Sequence, residues 1–233
     1  MASLFFVAPM LLAYEAGVLV LGPQAVRNGA DVWLRGLLDQ IGFGQYFLLP
    51  LLTCSLLLAW HHTRRERWNV DWSVCYGMLA ESSAFGLALL LVAQTQSTLF
   101  ANHLPAAEVG AAASHIFGRC IGYFGAGIYE ELLFRLMLLP AAIASLKWFG
   151  MSARWSVVTA VLGTSLLFSA AHYQYDFSLF GLHVASSYGD PFQLFSFSFR
   201  FLAGVFFSTL FVQRGFGVTA GSHALYDILI VVF

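Results

Sequence analysis

Two adjacent glutamates and an arginine interrupt a strongly apolar stretch of this sequence. Glu130, Glu131 and Arg135 lie in a segment, 121–144, that is otherwise almost wholly apolar. Placing a charged side chain at the centre of a membrane helix costs roughly 2.5–3.5 kcal/mol on insertion scales, so such residues are rare there and usually mark function. These side chains are therefore the first candidates for chemistry.

The spacing predicts different environments for the two glutamates. Glu131 and Arg135 are four residues apart, so on a helix they share a face and can form an ion pair. Glu130 is rotated by about 100° from Glu131, because an α-helix has 3.6 residues per turn. One carboxylate is thus neutralised by its neighbour, and Glu130 is left free for chemistry.

Two histidines and an aspartate on later apolar segments complete the candidate set. His172 closes one predicted span, and His223 lies in the last span, four residues before Asp227 and on the same helix face. A carboxylate with two imidazoles can activate water, either directly as a general base or through a bound metal ion. The sequence therefore indicates hydrolytic chemistry.

Two mechanisms fit these residues. In the first, Glu130 takes a proton from a water also held by His172, and His223 and Asp227 lie where an oxyanion develops. In the second, Glu130, His172 and His223 bind zinc, which activates the water. The sequence lacks an HExxH motif, which pre-aligns two metal-binding histidines on one helix. We favour the mechanism without a metal cofactor, with zinc as the alternative.

Composition places these residues in a membrane protein. The chain has 233 residues, of which 59% are hydrophobic and 10% charged, against about 25% charged residues in soluble domains. A helix needs about 20 mainly apolar residues to cross a bilayer. Spans are predicted at 4–22, 44–60, 73–93, 126–147, 154–172, 192–212 and 216–233, with an eighth, short or re-entrant helix at 111–124.

The predicted fold is an all-α, polytopic transmembrane bundle of seven or eight helices. It forms a single integral membrane domain, 1–233, with the catalytic core at about 120–233. The net charge of −1 provides no basic surface for nucleic acid. The three cysteines are widely spaced and form no CxxC pair, which argues against a zinc–thiolate site or a disulfide framework. The expected partners are the lipid bilayer and a membrane-associated protein or peptide substrate.

Four short motifs follow one another on successive predicted helices. They are Glu130 and Glu131 with Arg135, Phe168 with His172, Phe201 with Gly204, and His223 with Asp227. In this order they resemble the CAAX-processing and bacteriocin-processing intramembrane endopeptidases, the family that includes the type II CAAX prenyl endopeptidases. The resemblance covers about the last 110 residues, and each motif alone is unspecific.

The resemblance implies a role for each matching residue. Glu130 would be the water-activating base and His172 its partner at the water, with His223 and Asp227 at the oxyanion and Glu131 and Arg135 in support. Asp227 stands where the prenyl-protein enzymes have asparagine, and a carboxylate donates a hydrogen bond only when protonated. Aspartate is common there in bacterial members, so the difference is compatible with activity, but it argues against a prenyl-peptide substrate. The expected location is the bacterial plasma membrane.

A non-enzymatic transporter or scaffold with a buried polar network is the alternative function. Buried carboxylates and histidines also build proton relays in membrane proteins. Many transporters carry internal repeats, and no repeat is evident in this sequence. The order of the four motifs favours the endopeptidase.

Overall fold

The protein is described here by a computed structural model. It describes residues 1–22, 25, 27–65, 68–100, 113–179, 182–186 and 189–232. The helices are α1 (Ala2–Leu21), α2 (Gly29–Gln40), α3 (Leu48–Thr63), α4 (Trp72–Leu99), α5 (Ala113–Gly125), α6 (Leu139–Trp148), α7 (Ala153–Ala170), α8 (Leu194–Arg214) and α9 (Phe216–Val232). Two π-helical segments, Ala126–Glu130 and Leu132–Leu138, lie between α5 and α6.

The predicted all-helical membrane bundle is confirmed. Helix α5, the two π-helical segments and α6 follow one another without a break, so residues 113–124 of the predicted short helix are continuous with the span that follows. Residues 111 and 112 of that prediction lie outside the described residues. Helix α2 was not among the predicted elements. The link between α7 and α8 contains an antiparallel hairpin of β1 (Tyr175–Leu179) and β2 (Leu182–Ser186), which the sequence analysis also did not predict.

Several helices have the length and composition of membrane spans. In the described part of the chain, α1, α4, α7 and α8 are long and apolar enough to cross a bilayer, and α3 and α9 are shorter apolar helices. Large aliphatic side chains such as Leu12, Val20 and Leu91 are exposed on the outer faces of these helices. Such faces suit a hydrocarbon surrounding, because lipid tails are as apolar as leucine.

The first turns of α9 lie deep inside the bundle. Thr219 and Ala220 are fully buried, and the α8–α9 link is the single residue Gly215. Gly127 in the first π-helical segment permits this close packing, since a Cβ there would lie 2.5 Å from the Ala220 carbonyl oxygen. The contact brings α9 against the helical stretch that carries Glu130.

Candidate active site

The four predicted catalytic residues line one cavity. The cavity has a volume of about 590 Å³, and Glu130, His172, His223 and Asp227 all contribute to its wall. They come from the first π-helical segment, the residues after α7, and α9. The structure therefore brings together side chains that are up to 97 positions apart in the sequence. Their catalytic roles stay predictions.

The two carboxylate oxygens of Glu130 have different surroundings. Oε1 accepts a hydrogen bond from Asn28 Nδ2 at 2.6 Å. Oε2 is buried and has no hydrogen-bond partner among the described residues. It lies 3.6 Å from His172 Nε2 and 3.9 Å from His223 Nε2. Both separations are too long for a direct hydrogen bond, and a water can bridge groups at such a distance.

A backbone carbonyl fixes the orientation of the His172 ring. His172 Nδ1 lies 2.7 Å from the Phe168 carbonyl oxygen. A carbonyl only accepts, so Nδ1 carries the proton and donates it, and in the neutral ring Nε2 presents its lone pair toward Glu130. The residue is held just beyond α7 by a bond from Asp190 N–H to its carbonyl oxygen. Gly189 has φ +100° beside that oxygen, where a Cβ would approach to 2.5 Å.

His223 is oriented by Glu131. Its Nδ1 lies 2.7 Å from Glu131 Oε1, and because a carboxylate accepts, Nδ1 donates. Its Nε2 therefore faces the cavity, 3.6 Å from Asp227 Oδ2. The ring stacks on Phe207, with 4.6 Å between ring centroids and 16° between planes. These contacts leave His223 one well-defined orientation.

The ion pair that the i, i+4 spacing predicts is present. Arg135 Nη1 donates to Glu131 Oε1 at 3.0 Å, and the two residues are 1% and 0% exposed. Arg135 also donates to the Gly204 carbonyl oxygen at 3.3 Å and lies over the Phe168 ring, 4.2 Å from its centroid. Glu131 thus has two partners, Arg135 and His223, and links the ion pair to the cavity.

The local backbone differs from the α-helix assumed in the sequence analysis. Residues 126–130 and 132–138 are π-helical, so the 100° rotation per residue does not hold there. Single π turns inside helices occur frequently at functional sites. Clustered glycines such as Gly125 and Gly127 favour a helix break or close helix contact, but they carry no signal for π geometry.

One contributor to the site was missed by the sequence analysis. Asn28 lies just before α2 and contacts Glu130 directly. Its residue type and position are typical of a helix N-cap, which is the only signal in the sequence that marks it. Two arginines, Arg27 and Arg200, also line the cavity and were assigned no role in the site from the sequence.

The arrangement of donors bears on the zinc alternative. Among the described residues, no group of three or more His, Cys, Asp or Glu side chains is arranged to hold a metal ion. The direct mechanism and the zinc alternative therefore both stay predictions. The unpartnered Glu130 Oε2 fits a bridging water.

Apolar helices around a cavity that holds carboxylates and imidazoles define a multi-pass integral membrane protein. A family model described as type II CAAX prenyl endopeptidase Rce1-like matches residues 112–229. The chain belongs to this family, which confirms the resemblance and makes it a membrane protease of the CAAX type. No curated protein and no solved structure in the comparisons matches the chain.

Proposed function

We propose that the chain is an intramembrane endopeptidase in which Glu130 activates water to hydrolyse a peptide bond of a membrane-associated protein or peptide. The observation that carries this proposal is the buried Glu130 Oε2, which faces His172 Nε2 at 3.6 Å and has no hydrogen-bond partner among the described residues. A water placed beside these two atoms, within hydrogen-bond distance of both, has one acceptor for each of its protons. Family membership supports the same reaction class.

The proposed reaction begins with a proton transfer. Glu130 Oε2 takes one proton from the water, while the lone pair on His172 Nε2 accepts a hydrogen bond from the other. The resulting hydroxide adds to the carbonyl carbon of the substrate peptide bond. Glu130 then gives its proton to the leaving nitrogen as the C–N bond breaks, which yields a carboxylic acid and an amine. The acid passes its proton to the amine, so that the products leave as a carboxylate and an ammonium group.

The oxyanion is assigned to the side of the cavity formed by α9. His223 donates through Nδ1 to Glu131, so its Nε2 is the ring atom that faces the cavity. That nitrogen donates to the developing negative charge when the ring is protonated, because only the imidazolium carries a proton on both nitrogens. Asp227, at 3.6 Å from that nitrogen, orients the ring and can itself donate only when protonated. Glu131 and Arg135 support the site by holding His223.

The proposed substrate is a peptide that reaches the cavity from the bilayer. Phe168, Phe207 and Tyr226 give the wall apolar surface, whereas Arg27 and Arg200 supply positive charge. A peptide segment with an apolar side chain and a nearby carboxylate complements such a wall. The proposed location is a bacterial plasma membrane.

Arg200 is expected to bind a carboxylate of the substrate. Its Nη2 donates to Asp190 Oδ2 at 2.6 Å, but Nη1 is buried without a hydrogen-bond partner among the described residues. Buried donors normally have a partner. Arg200→Gln should raise KM roughly 10-fold, the scale of one hydrogen bond to a charged group, for peptides with a free terminal carboxylate near the scissile bond.

The matched comparison uses the same peptides with amidated ends. Arg200→Gln should leave their KM unchanged, and Arg154→Gln, at the start of α7 and outside the cavity wall, should leave both peptides unchanged. Initial rates over a range of peptide concentrations give these values. An equal rise in KM for acid and amide peptides would remove the carboxylate from the proposed role.

Cleavage is expected to survive removal of metal ions, because the proposed base is a carboxylate acting directly on water. Purified protein in liposomes should keep its rate within about two-fold after treatment with a chelator, since no metal supplies the nucleophile. Elemental analysis of the same sample is needed, because a buried metal exchanges slowly. About one zinc per chain, lost together with activity and restored with it, would contradict the direct mechanism.

A further inference from the structure

Helix α2 presents the side chain of Asn28 to the proposed catalytic base. Asn28 lies outside residues 112–229, the part matched by the family model. Its Nδ2 donates to Glu130 Oε1 at 2.6 Å, across 102 positions of sequence. Among the described residues, this is the hydrogen bond to the side chain of Glu130, and it occupies Oε1 but not Oε2.

The N-cap of α2 fixes the orientation of the Asn28 amide. Asn28 Oδ1 accepts from the backbone N–H of Ala30 at 2.8 Å, which is the N-cap bond of the helix. A backbone N–H only donates and a carboxylate only accepts, so the oxygen faces Ala30 and the NH₂ group faces Glu130. One side chain therefore begins the helix and holds the carboxylate.

A buried polar network fastens α2 to the rest of the bundle. Asp31 is fully buried and accepts from Tyr14 OH at 2.7 Å and from Arg35 Nε at 2.6 Å. Arg35 Nη2 donates to Glu15 Oε1 at 2.9 Å, and Tyr129 OH donates to the same oxygen at 2.5 Å. The network joins α2 to α1 and to the residue directly before Glu130.

We infer that Asn28 is a positioning residue that occupies Glu130 Oε1, so that Oε2 is the oxygen turned toward His172 and the reacting water. The inference rests on the proposed role of Glu130 as base. A carboxylate free to rotate would spend time in orientations in which neither oxygen is aligned with His172 Nε2. A base gains its catalytic effect only when it is held within hydrogen-bond reach of the proton that it takes.

The test is a substitution that removes the amide donor to Glu130 but keeps a residue that can cap helix α2. Serine is a good N-cap residue, but its hydroxyl ends one bond short of the amide nitrogen. Asn28→Ser should therefore lower kcat about 10- to 100-fold, the value of one hydrogen bond to a charged group. KM for a cleaved peptide should stay at the wild-type value, and the variant should still fold because its helix cap is kept.

A second variant and a control sharpen the result. Asn28→Asp keeps the shape and the cap but sets a second carboxylate against Glu130, so its kcat should fall below that of Asn28→Ser. Asp71→Ser exchanges the N-cap of α4, where Asp71 accepts from Ser73 N–H, and should leave kcat unchanged.

The outcomes distinguish this inference from the proposed function. The positioning role would be overturned if Asn28→Ser kept the wild-type kcat or changed KM alone. Loss of folded protein in both Asn28→Ser and Asn28→Asp would also overturn it. Full activity in Glu130→Gln would instead overturn the proposed function. An inactive Glu130→Gln beside a fully active Asn28→Ser would reject the positioning role only.

Discussion

Replacing Glu130 by glutamine should abolish peptide cleavage and leave a folded protein. Glutamine has the same shape and can still accept from Asn28 Nδ2, but it cannot take a proton from water. Loss of a general base lowers the rate by about 10²–10⁴-fold. Because Glu130 Oε2 has no hydrogen-bond partner among the described residues, the neutral side chain strands no charge, and the melting temperature should be retained.

The matched control is a second intramembrane glutamate. Glu81 on α4 pairs with Arg214 and is not part of the cavity wall, so Glu81→Gln should cleave at the wild-type rate. Rates are compared per folded molecule, with folding followed by thermal unfolding of the purified proteins. Cleavage by Glu130→Gln at more than about a tenth of the wild-type rate would remove Glu130 as the base, given the size of a general-base effect.

Replacing Glu131 by glutamine should act on stability first. The change leaves Arg135, which is 1% exposed, without its charged partner at 3.0 Å. Breaking a buried ion pair by removing one partner costs about 3–5 kcal/mol. We therefore expect a large fall in the yield of folded protein and in its melting temperature, with a smaller loss of activity per folded molecule than in Glu130→Gln.

A double substitution separates the stranded charge from lost packing. Removing both charges of a buried pair leaves neither charge unpaired, so Glu131→Gln combined with Arg135→Met should recover much of the stability lost in Glu131→Gln. His223 still loses the carboxylate that orients it, so the double variant should remain slow. Wild-type stability and full loss of cleavage in Glu131→Gln would contradict the supporting role.

The sequence predicted the parts of the fold that depend on local pattern. Long apolar runs predicted α1, α4, α7 and α8, because bilayer thickness sets a minimum helix length. The i, i+4 spacing predicted the contact of Glu131 with Arg135, which the structure contains. The four ordered motifs predicted the family, which the match over residues 112–229 confirms.

Contacts between distant segments could not be predicted in the same way. Counting along apolar spans placed His172 at the end of one helix and His223 well inside another, at different depths. They meet because α9 begins inside the bundle, directly after Gly215. This packing depends on contacts between helices, and no local sequence pattern encodes it. The bond from Asn28 to Glu130 likewise depends on α2, which is too short and too polar to read as a span.

Cleavage in water enriched in ¹⁸O tests most directly whether Glu130 activates water for peptide hydrolysis. Wild-type protein and Glu130→Gln, each purified and placed in liposomes, are mixed with a library of membrane-associated peptides and the products weighed by mass spectrometry. If Glu130 activates water, the wild-type protein should give the two fragments of a cleaved peptide, with ¹⁸O in the newly formed carboxylate of the N-terminal fragment. Glu130→Gln should give no such fragments. The proposed role of Glu130 would be contradicted if the wild-type protein cleaved no peptide of the library. It would also be contradicted if both proteins gave the same labelled products at equal rates.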